Sequence, residues 1–188
     1  AGIRTLTLTA VTRKSFTDEY TKMTTADPSR VRSLWLEPGD ILVERSNTPL
    51  LVGSSARYDG PENWAIFPDL LIRLRLDDEV ASSKYVAAVL GSERAHRYLR
   101  SKAKGLAGSM PKVDQSAIAS TLIPLPSRPE QESILQRLDE SSELANRLSR
   151  TAAQAQLRAK VLKRSLLSAA LTGMLTQKHA RIDMPEEM

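Results

Sequence analysis

The hydrophobic and polar positions divide the chain into two parts of different character. Up to about residue 126, short apolar runs alternate with turn residues, and glycine and proline interrupt the sequence repeatedly. From residue 130 to Leu171 there is no glycine or proline, and apolar or small residues recur every three or four positions. Short runs between turns predict strands, whereas the second spacing predicts one face of a helix. The sequence therefore predicts a first domain at 1–126, a long helix at 127–175 and a polar tail at 176–188.

Six segments of the first part have the pattern of strands. They are residues 3–11, 41–44, 50–54, 64–67, 70–76 and 121–125. Between the last two, Ser82 or Ser83 can cap a helix that ends at Gly91, and Ser92 can cap a second helix that runs to Lys104 before Gly105. Because so few helices cannot cover both faces of a parallel sheet, the pattern predicts an α+β fold with a mixed or antiparallel sheet.

The long helix has a start signal and an apolar seam. Ser127 and Glu130 are spaced as a capping box, and Gly173 is the predicted stop. The seam positions follow a 4,3 spacing: Ile134, Leu138, Ser141, Ala145, Leu148, Ala152, Ala155, Ala159, Leu162, Leu166 and Ala169. The small residues favour a tight antiparallel helix pair, with a second copy or a missing part of the same polypeptide as the partner. The alternative is one long core helix of a bundle.

Composition favours a soluble protein that binds anions. The chain has 188 residues, with 27 Lys and Arg against 22 Asp and Glu, for a formal charge of +5. Such a surface attracts nucleic acid above all, while aromatic residues, at 4%, are too scarce for a base-stacking platform. Without an apolar run of membrane length or a signal peptide, we expect a cytoplasmic protein that does not bind a membrane. The chain begins without Met in a strand-like stretch, and we expect it to be a fragment.

The residues do not form a recognisable catalytic constellation. The two histidines, His96 and His179, lack the spacing of metal ligands, and there is no cysteine. The phosphate-loop and dinucleotide-binding patterns are also missing. A metal-dependent nuclease needs clustered carboxylates, and the acidic run at 77–79 fits a strand-ending turn better. We therefore predict that this chain is not an enzyme and holds no metal.

Positive charge is concentrated in one stretch of the first domain. Its basic residues are Arg94, Arg97, Arg100, Lys102, Lys104 and Lys112. The loop at 105–112 contains two glycines, which permit close approach of the backbone to a phosphate or base edge. The stretch is either a nucleic-acid contact or a plain solvated face.

An ordered set of short segments resembles a known family. The set comprises PGDILVERSN at 38–47, LVG at 51–53, PDLLIRL at 68–74, GSMPKV at 108–113, IPLP at 123–126, Glu130-Gln131 with Ile134, and residues 157–175, which end in SLLSAALTGML. Together these resemble the target recognition domain and following helix of the specificity subunits of type I restriction-modification systems. Family subunits carry two such halves whose helices pair antiparallel. This chain resembles one half, either separated from its other half or able to dimerise.

The resemblance implies a non-catalytic DNA-recognition subunit that reads one half of a bipartite double-stranded DNA target. It implies a methyltransferase subunit and a restriction subunit as partners, with S-adenosylmethionine held by the methyltransferase. The residues we predict to contact DNA are Arg45, Ser46, Asn47, Arg57, Tyr58, Lys102, Lys104, Ser109 and Lys112. The donors of Arg45 and Asn47 suit guanine and adenine, and the lysines suit phosphates. Alternatively, residues 45–47 are a structural turn.

A second hypothesis remains open at this point. The long helix can serve oligomerisation while the α+β domain binds a protein, which would make the chain a coiled-coil interaction module without DNA specificity. The sequence does not give the target bases.

Overall fold

A computed structural model describes residues 2–105 and 110–172. The strands are β1 (Ile3–Leu6), β2 (Thr21–Thr24), β3 (Ile41–Glu44), β4 (Ser55–Arg57) and β5 (Leu71–Leu74). The α-helices are α1 (Leu8–Arg13), α2 (Ser83–Leu90), α3 (Glu93–Lys102), α4 (Gln115–Ala119) and α5 (Arg128–Leu171). The chain divides into two compact units, Ala1–Gln136 and Arg137–Met188. The first unit therefore includes the beginning of α5.

The strands form two antiparallel sheets. In the first, β1 pairs with β2, so that Ile3 lies opposite Thr24. In the second, β3 is central between β4 and β5, and Ile41 lies opposite both Arg57 and Leu74. The predicted α+β class, with an antiparallel sheet followed by a long helix, is confirmed.

Strand β3 is buried along its whole length. Because successive side chains of a strand point to opposite faces, Leu42 packs in a cluster with Ala10 and Val11 of α1. Ile41 packs with residues of α2 on the other face, where Val43 meets Leu99 of α3. The core is thus built outward from both faces of this one strand.

A tight turn with a buried carboxylate precedes β3. Pro38 and Gly39 are its central residues; Gly39 has a φ of 103°, and the Asp40 amide donates to the Glu37 carbonyl at 3.0 Å. This is the arrangement in which glycine is favoured at the third position. The buried Asp40 carboxylate accepts from the Glu37 amide at 2.9 Å and from two nitrogens of Arg75 at 2.7 and 2.8 Å. The turn and the end of β5 are thereby tied together.

The two middle helices begin where their caps predict. Ser82 and Ser92 are the N-caps of α2 and α3, and the Ser92 hydroxyl accepts from the Ala95 amide at 3.3 Å. Helix α3 ends at Lys102, earlier than predicted. The reason is that the Lys104 backbone pairs with Lys112 through two hydrogen bonds of 2.8 Å instead of continuing the helix.

The predicted strand at 3–11 is wrong beyond Leu6. Alternating threonine and apolar residues fit a strand, but Leu8 and Val11 also lie three residues apart on one helix face. Burial of Ala10 and Val11 in the core decides for helix α1. Helix α1, strand β2 and helix α4 have no counterpart among the predicted elements.

Three other predicted strands are wrong. Residues 50–54 belong to turns, in which the Thr48 carbonyl accepts from the Leu51 and Val52 amides, and the strand begins at Ser55. Residues 64–67 contribute isolated bridges at Ile66. Residues 121–125 lie outside any helix or strand, where the Pro124 carbonyl accepts from the Tyr85 hydroxyl at 2.9 Å.

Helix α5 begins at the predicted capping box. The Glu130 carboxylate accepts from the Ser127 amide at 2.9 Å and from its hydroxyl at 2.7 Å, and the hydroxyl and amide of Ser127 lower the pKa of Glu130. Gln131, the residue after Glu130, is buried, and its side chain accepts from the Ser82 amide at 3.0 Å and donates to the Pro126 carbonyl at 2.9 Å. These contacts fix the first turn of α5 to the first unit. The predicted stop at Gly173 and the tail at 176–188 lie outside the described residues.

Removal of the Asp40 carboxylate should destabilise the first unit. Asp40→Ala leaves the Glu37 amide without its acceptor and the Arg75 guanidinium with only its ion pair to Glu37, at an expected cost of about 2 kcal/mol in the free energy of unfolding. Urea denaturation measures this cost. Asp69→Ala, at an exposed turn residue, is the control and should change the value by less than about 0.5 kcal/mol. Equal effects of the two variants would contradict the role given to Asp40.

Candidate nucleic-acid interface

Three segments of the first unit meet at the end of β3. The Val113 amide donates to the Arg45 carbonyl at 2.8 Å, and Ser46 forms an isolated bridge with Lys112. Lys112 in turn pairs with Lys104, just after α3. These backbone contacts bring the loop after β3, the end of α3 and residues 112–113 to one place.

Several basic side chains are carried by these segments. Arg45, Lys102, Lys104 and Lys112 are exposed, and the half-buried Arg100 donates to the Pro49 carbonyl at 2.9 Å. We call these five residues the basic surface. Lys104 lies 3.3 Å from Asp114 in an ion pair with both side chains exposed, and such pairs contribute little to stability. The basic surface therefore keeps an excess of positive charge that can meet phosphates.

Three of the residues predicted to contact DNA are instead buried. Tyr58 is fully buried in the core, where its hydroxyl donates to the Pro61 carbonyl at 2.7 Å and burial raises its pKa to about 12. Ser46 and Asn47 are also buried, at 2% and 8% exposure. The structure therefore does not place these three side chains for direct base contacts, whereas Arg45 is exposed. The alternative of a turn at 45–47 does not describe Ser46 either, because its backbone forms a bridge with Lys112.

Arg57 lies apart from the basic surface. It is opposite Ile41, at the start of β3, and its Nε donates to the Ser83 hydroxyl at 3.0 Å. Arg45 follows the other end of the same strand. Ser109 lies outside the described residues. Arg100 was missing from the predicted contacts, although it shares a helix face with Arg97 and Lys104 in the sequence pattern; its bond to Pro49 could not be read from the sequence.

A buried carboxyl group lies directly beneath the loop after β3. The Glu44 carboxylate accepts from the Thr12 hydroxyl at 2.6 Å and from the Asn47 side-chain amide at 2.5 Å. Desolvation raises the pKa of Glu44, and the two hydrogen bonds oppose that effect. The Asn47 side-chain amide, whose donor suits adenine in the sequence prediction, thus donates its hydrogen bond to the buried Glu44 carboxyl group.

The second unit presents an apolar seam to solvent. Along α5, the seam residues Leu138, Leu148, Leu162 and Leu166 are between 46 and 63% exposed. The alanines between them at 145, 152, 155 and 159 are exposed as well. Nothing in the described residues covers this face, as the prediction of a partner helix requires.

Apolar residues also occur on the side of α5 away from the seam. At 100° per residue, Leu157, Val161 and Leu171 fall there, and each is more than half exposed. Leu157 and Val161 line a shallow groove with Lys160 and Arg164. The last four turns of α5 therefore carry apolar surface on two sides.

Two other kinds of site are not found within 2–105 and 110–172. No three histidine or acidic side chains there lie close enough together to bind a metal ion. No helix in the same residues combines the length and the apolar character needed to cross a membrane.

Comparison with known proteins finds a relative that is similar to most of this chain. The type I restriction enzyme StySPI specificity subunit of Salmonella potsdam is 30% identical over 142 residues, which are 75% of this chain and 30% of that protein. Over three quarters of its length the chain is therefore similar to a type I restriction enzyme specificity subunit. No protein-family model matches the sequence.

Two solved structures share the fold of this chain. The HsdS subunit from Thermoanaerobacter tengcongensis aligns over 98% of this chain and 45% of its own, with a TM-score of 0.69 and 21% identity. A second structure, described as showing complex assembly and conformational transition of the type I R-M system, aligns over the same shares with a TM-score of 0.60 and 19% identity. The chain thus spans less than half the length of each relative.

The raised pKa of Glu44 predicts a specific pH dependence. A group whose pKa is raised on folding contributes stability below its ordinary value, near 4.5, and loses that contribution as the pH rises through the folded value. Glu44→Gln removes this titration. The free energy of unfolding of the variant relative to the wild type should therefore increase from pH 4 to pH 7, measured by urea denaturation. A constant difference across this range would contradict the raised pKa.

Proposed function

We propose that this chain is a non-catalytic DNA-recognition module of a type I restriction-modification complex that reads one half of a bipartite target. The observation that carries the proposal is the convergence of the basic surface at the end of β3, in a chain similar to a type I restriction enzyme specificity subunit. Methyl transfer, with S-adenosylmethionine, is the task of a methyltransferase subunit. The complex would act in the cytoplasm and include a restriction subunit.

The basic surface offers both kinds of contact that sequence-selective binding needs. Lys102, Lys104 and Lys112 are exposed cations suited to phosphates, which provide affinity and orientation. Arg45 is exposed at the same place and carries the paired donors that match guanine in the major groove. Ser46 and Asn47 are buried residues of the same loop, and they stabilise its shape and do not contact bases.

Helix α5 suits the role of a spacer with two docking faces. A straight helix of 44 residues is about 66 Å long at 1.5 Å per residue. Its small-residue seam fits a second helix, from another copy or from the other half of a longer subunit, packed antiparallel. The apolar side around Leu157 and Val161 would then receive the methyltransferase subunit.

Methylation of a random-sequence duplex library tests the proposal. The chain is combined with the methyltransferase subunit encoded beside it, and the modified positions are mapped by sequencing. We expect methylation confined to one bipartite motif, whose identity changes when this chain is exchanged for a relative. Methylation without a motif would overturn the proposal. Self-association without salt-dependent binding to duplex DNA would support the coiled-coil interaction module in its place.

Lys112→Gln should weaken binding to duplex DNA of any sequence. Loss of one phosphate contact should reduce affinity by about tenfold at moderate salt and lower the salt dependence, the slope of log K against log salt, by about 0.9. Fluorescence anisotropy with a mixed-sequence duplex at several salt concentrations measures both. Lys22→Gln, an exposed change on β2, is the control and should leave both values unchanged. Equal losses of DNA affinity in the two variants would contradict the proposal that the basic surface binds DNA.

Ala152→Glu should disrupt pairing through the helix seam. A carboxylate in a close-packed apolar seam is desolvated, and we expect association at least about 30-fold weaker, or about 2 kcal/mol. Analytical ultracentrifugation gives the mass of the chain in solution. Asn146→Glu, away from the seam on the same helix, is the matched control. An unchanged mass for Ala152→Glu, with a wild-type dimer, would show that the seam is misplaced.

A further inference from the structure

Glu44 closes the loop after β3 in two ways. Its backbone amide donates to the Ser54 carbonyl at 2.8 Å, and its carbonyl accepts from the Gly53 amide at 2.9 Å. Its buried carboxyl group accepts from Asn47 within the loop and from Thr12 on α1. The Glu44 backbone therefore joins the two ends of the loop, and its carboxyl group joins Asn47 in the loop to Thr12 on α1.

The loop between these ends has a defined path. The Asn47 side-chain oxygen accepts from the Thr48 amide at 2.7 Å, and the Thr48 carbonyl accepts from the Leu51 and Val52 amides. From outside, the His96 ring lies 3.1 Å from the Val52 carbonyl. With Arg100 bound to the Pro49 carbonyl, the loop is held from both sides.

The tip of this loop is the part left exposed. Thr48, Pro49 and Leu50 are exposed, and Leu50 shows 70% of its surface. An apolar side chain held in such a position beside basic residues is suited to the thymine methyl group in the major groove. Gly53, with a φ of 82°, allows the chain to pass α3, because a Cβ there would lie 2.7 Å from the Leu99 Cβ.

Stability alone does not account for a carboxyl group at this position. Burial of Glu44 disfavours its charged form, and buried ionised groups can often be replaced by apolar side chains without loss of stability. A carboxyl group differs from an apolar side chain in that it accepts directed hydrogen bonds. At Glu44 those bonds fix Asn47 relative to Thr12, which orients the loop.

We propose that Glu44 is a positioning residue for DNA recognition, which holds the 47–54 loop through Asn47 and Thr12 so that Leu50 meets the base edges. This inference rests on the proposed function. It adds that specificity depends on a buried contact between α1 and the loop. Because a preformed loop pays less ordering entropy on binding, loss of that contact lowers discrimination between sequences.

The test compares specificity with general affinity in the chain bound to its methyltransferase subunit. The measured quantity is the ratio of affinities for a duplex carrying the motif selected by the wild type and for a scrambled duplex. Thr12→Val removes the hydroxyl and keeps the shape, and it should lower the ratio by about tenfold while changing affinity for the scrambled duplex less than twofold. Thr9→Val, exposed on the same helix, is the matched control and should keep the ratio.

Two further variants complete the test. Glu44→Gln should lower the ratio, and the double variant with Thr12→Val should lower it no further than the more damaging single change. Leu50→Ala, at a side chain outside the core, should lower the ratio without changing the thermal midpoint. Leu122→Ala, at a 94% exposed residue outside the loop, should leave the ratio unchanged. If Glu44→Gln does not fold, Thr12→Val and Leu50→Ala decide.

The outcomes separate this inference from the proposed function. A wild-type complex that selects no motif overturns both. A wild-type complex that selects a motif, while Thr12→Val or Leu50→Ala keeps the full ratio, overturns the inference alone. A fall in thermal midpoint for Thr12→Val with an unchanged ratio does the same, because it shows that the contact serves stability only.

Discussion

The elements of the first unit are arranged around β3, the buried central strand of its three-stranded sheet. Its four residues pack against helices on both faces, and carboxyl groups lie at both ends. Asp40 binds Arg75 and the turn before the strand, and Glu44 binds α1 and the loop after it. Since apolar packing is tolerant of small slips while directed hydrogen bonds are not, these two groups fix where the strand starts and where the next loop begins.

Near the end of β3, buried polar residues stabilise the loop, whereas exposed charged residues remain available for contacts with a partner. Ser46 and Asn47, near the end of β3, are buried, and the Asn47 side chain bonds to Glu44 and to the Thr48 amide within the protein. The charged residues beside them, Arg45, Lys104 and Lys112, are exposed. A rigid base with exposed cations suits a surface that must hold a fixed register on a duplex. The second unit has the opposite character, because its exposed surface along α5 is rich in apolar and small residues and suits protein partners.

The sequence predicts the parts of the fold that local signals determine. The serine caps of α2 and α3, the capping box of α5 and the apolar strand β3 were all visible, because each depends on neighbours in the chain. The pattern at 7–11 predicts a strand, whereas the structure has helix α1 from Leu8, because burial of Ala10 and Val11 against distant residues decides the conformation. Likewise, the residue types of Tyr58 and Asn47 suit contact with DNA, but both are buried and their side chains donate to Pro61 and Glu44, partners that residue type does not reveal. The charge of the lysines was predictable, but their meeting at Lys104 and Lys112 was not.

Hydrogen–deuterium exchange of the chain in complex with its methyltransferase subunit shows whether the loop after β3 and the basic surface contact duplex DNA. Exchange is compared with and without a duplex that the complex methylates. We expect added protection at residues 45–54 and 102–112, and we expect the protection at 45–54 to be lost on a scrambled duplex of equal length. Protection confined to α5, or equal protection by both duplexes at 45–54, would contradict this expectation.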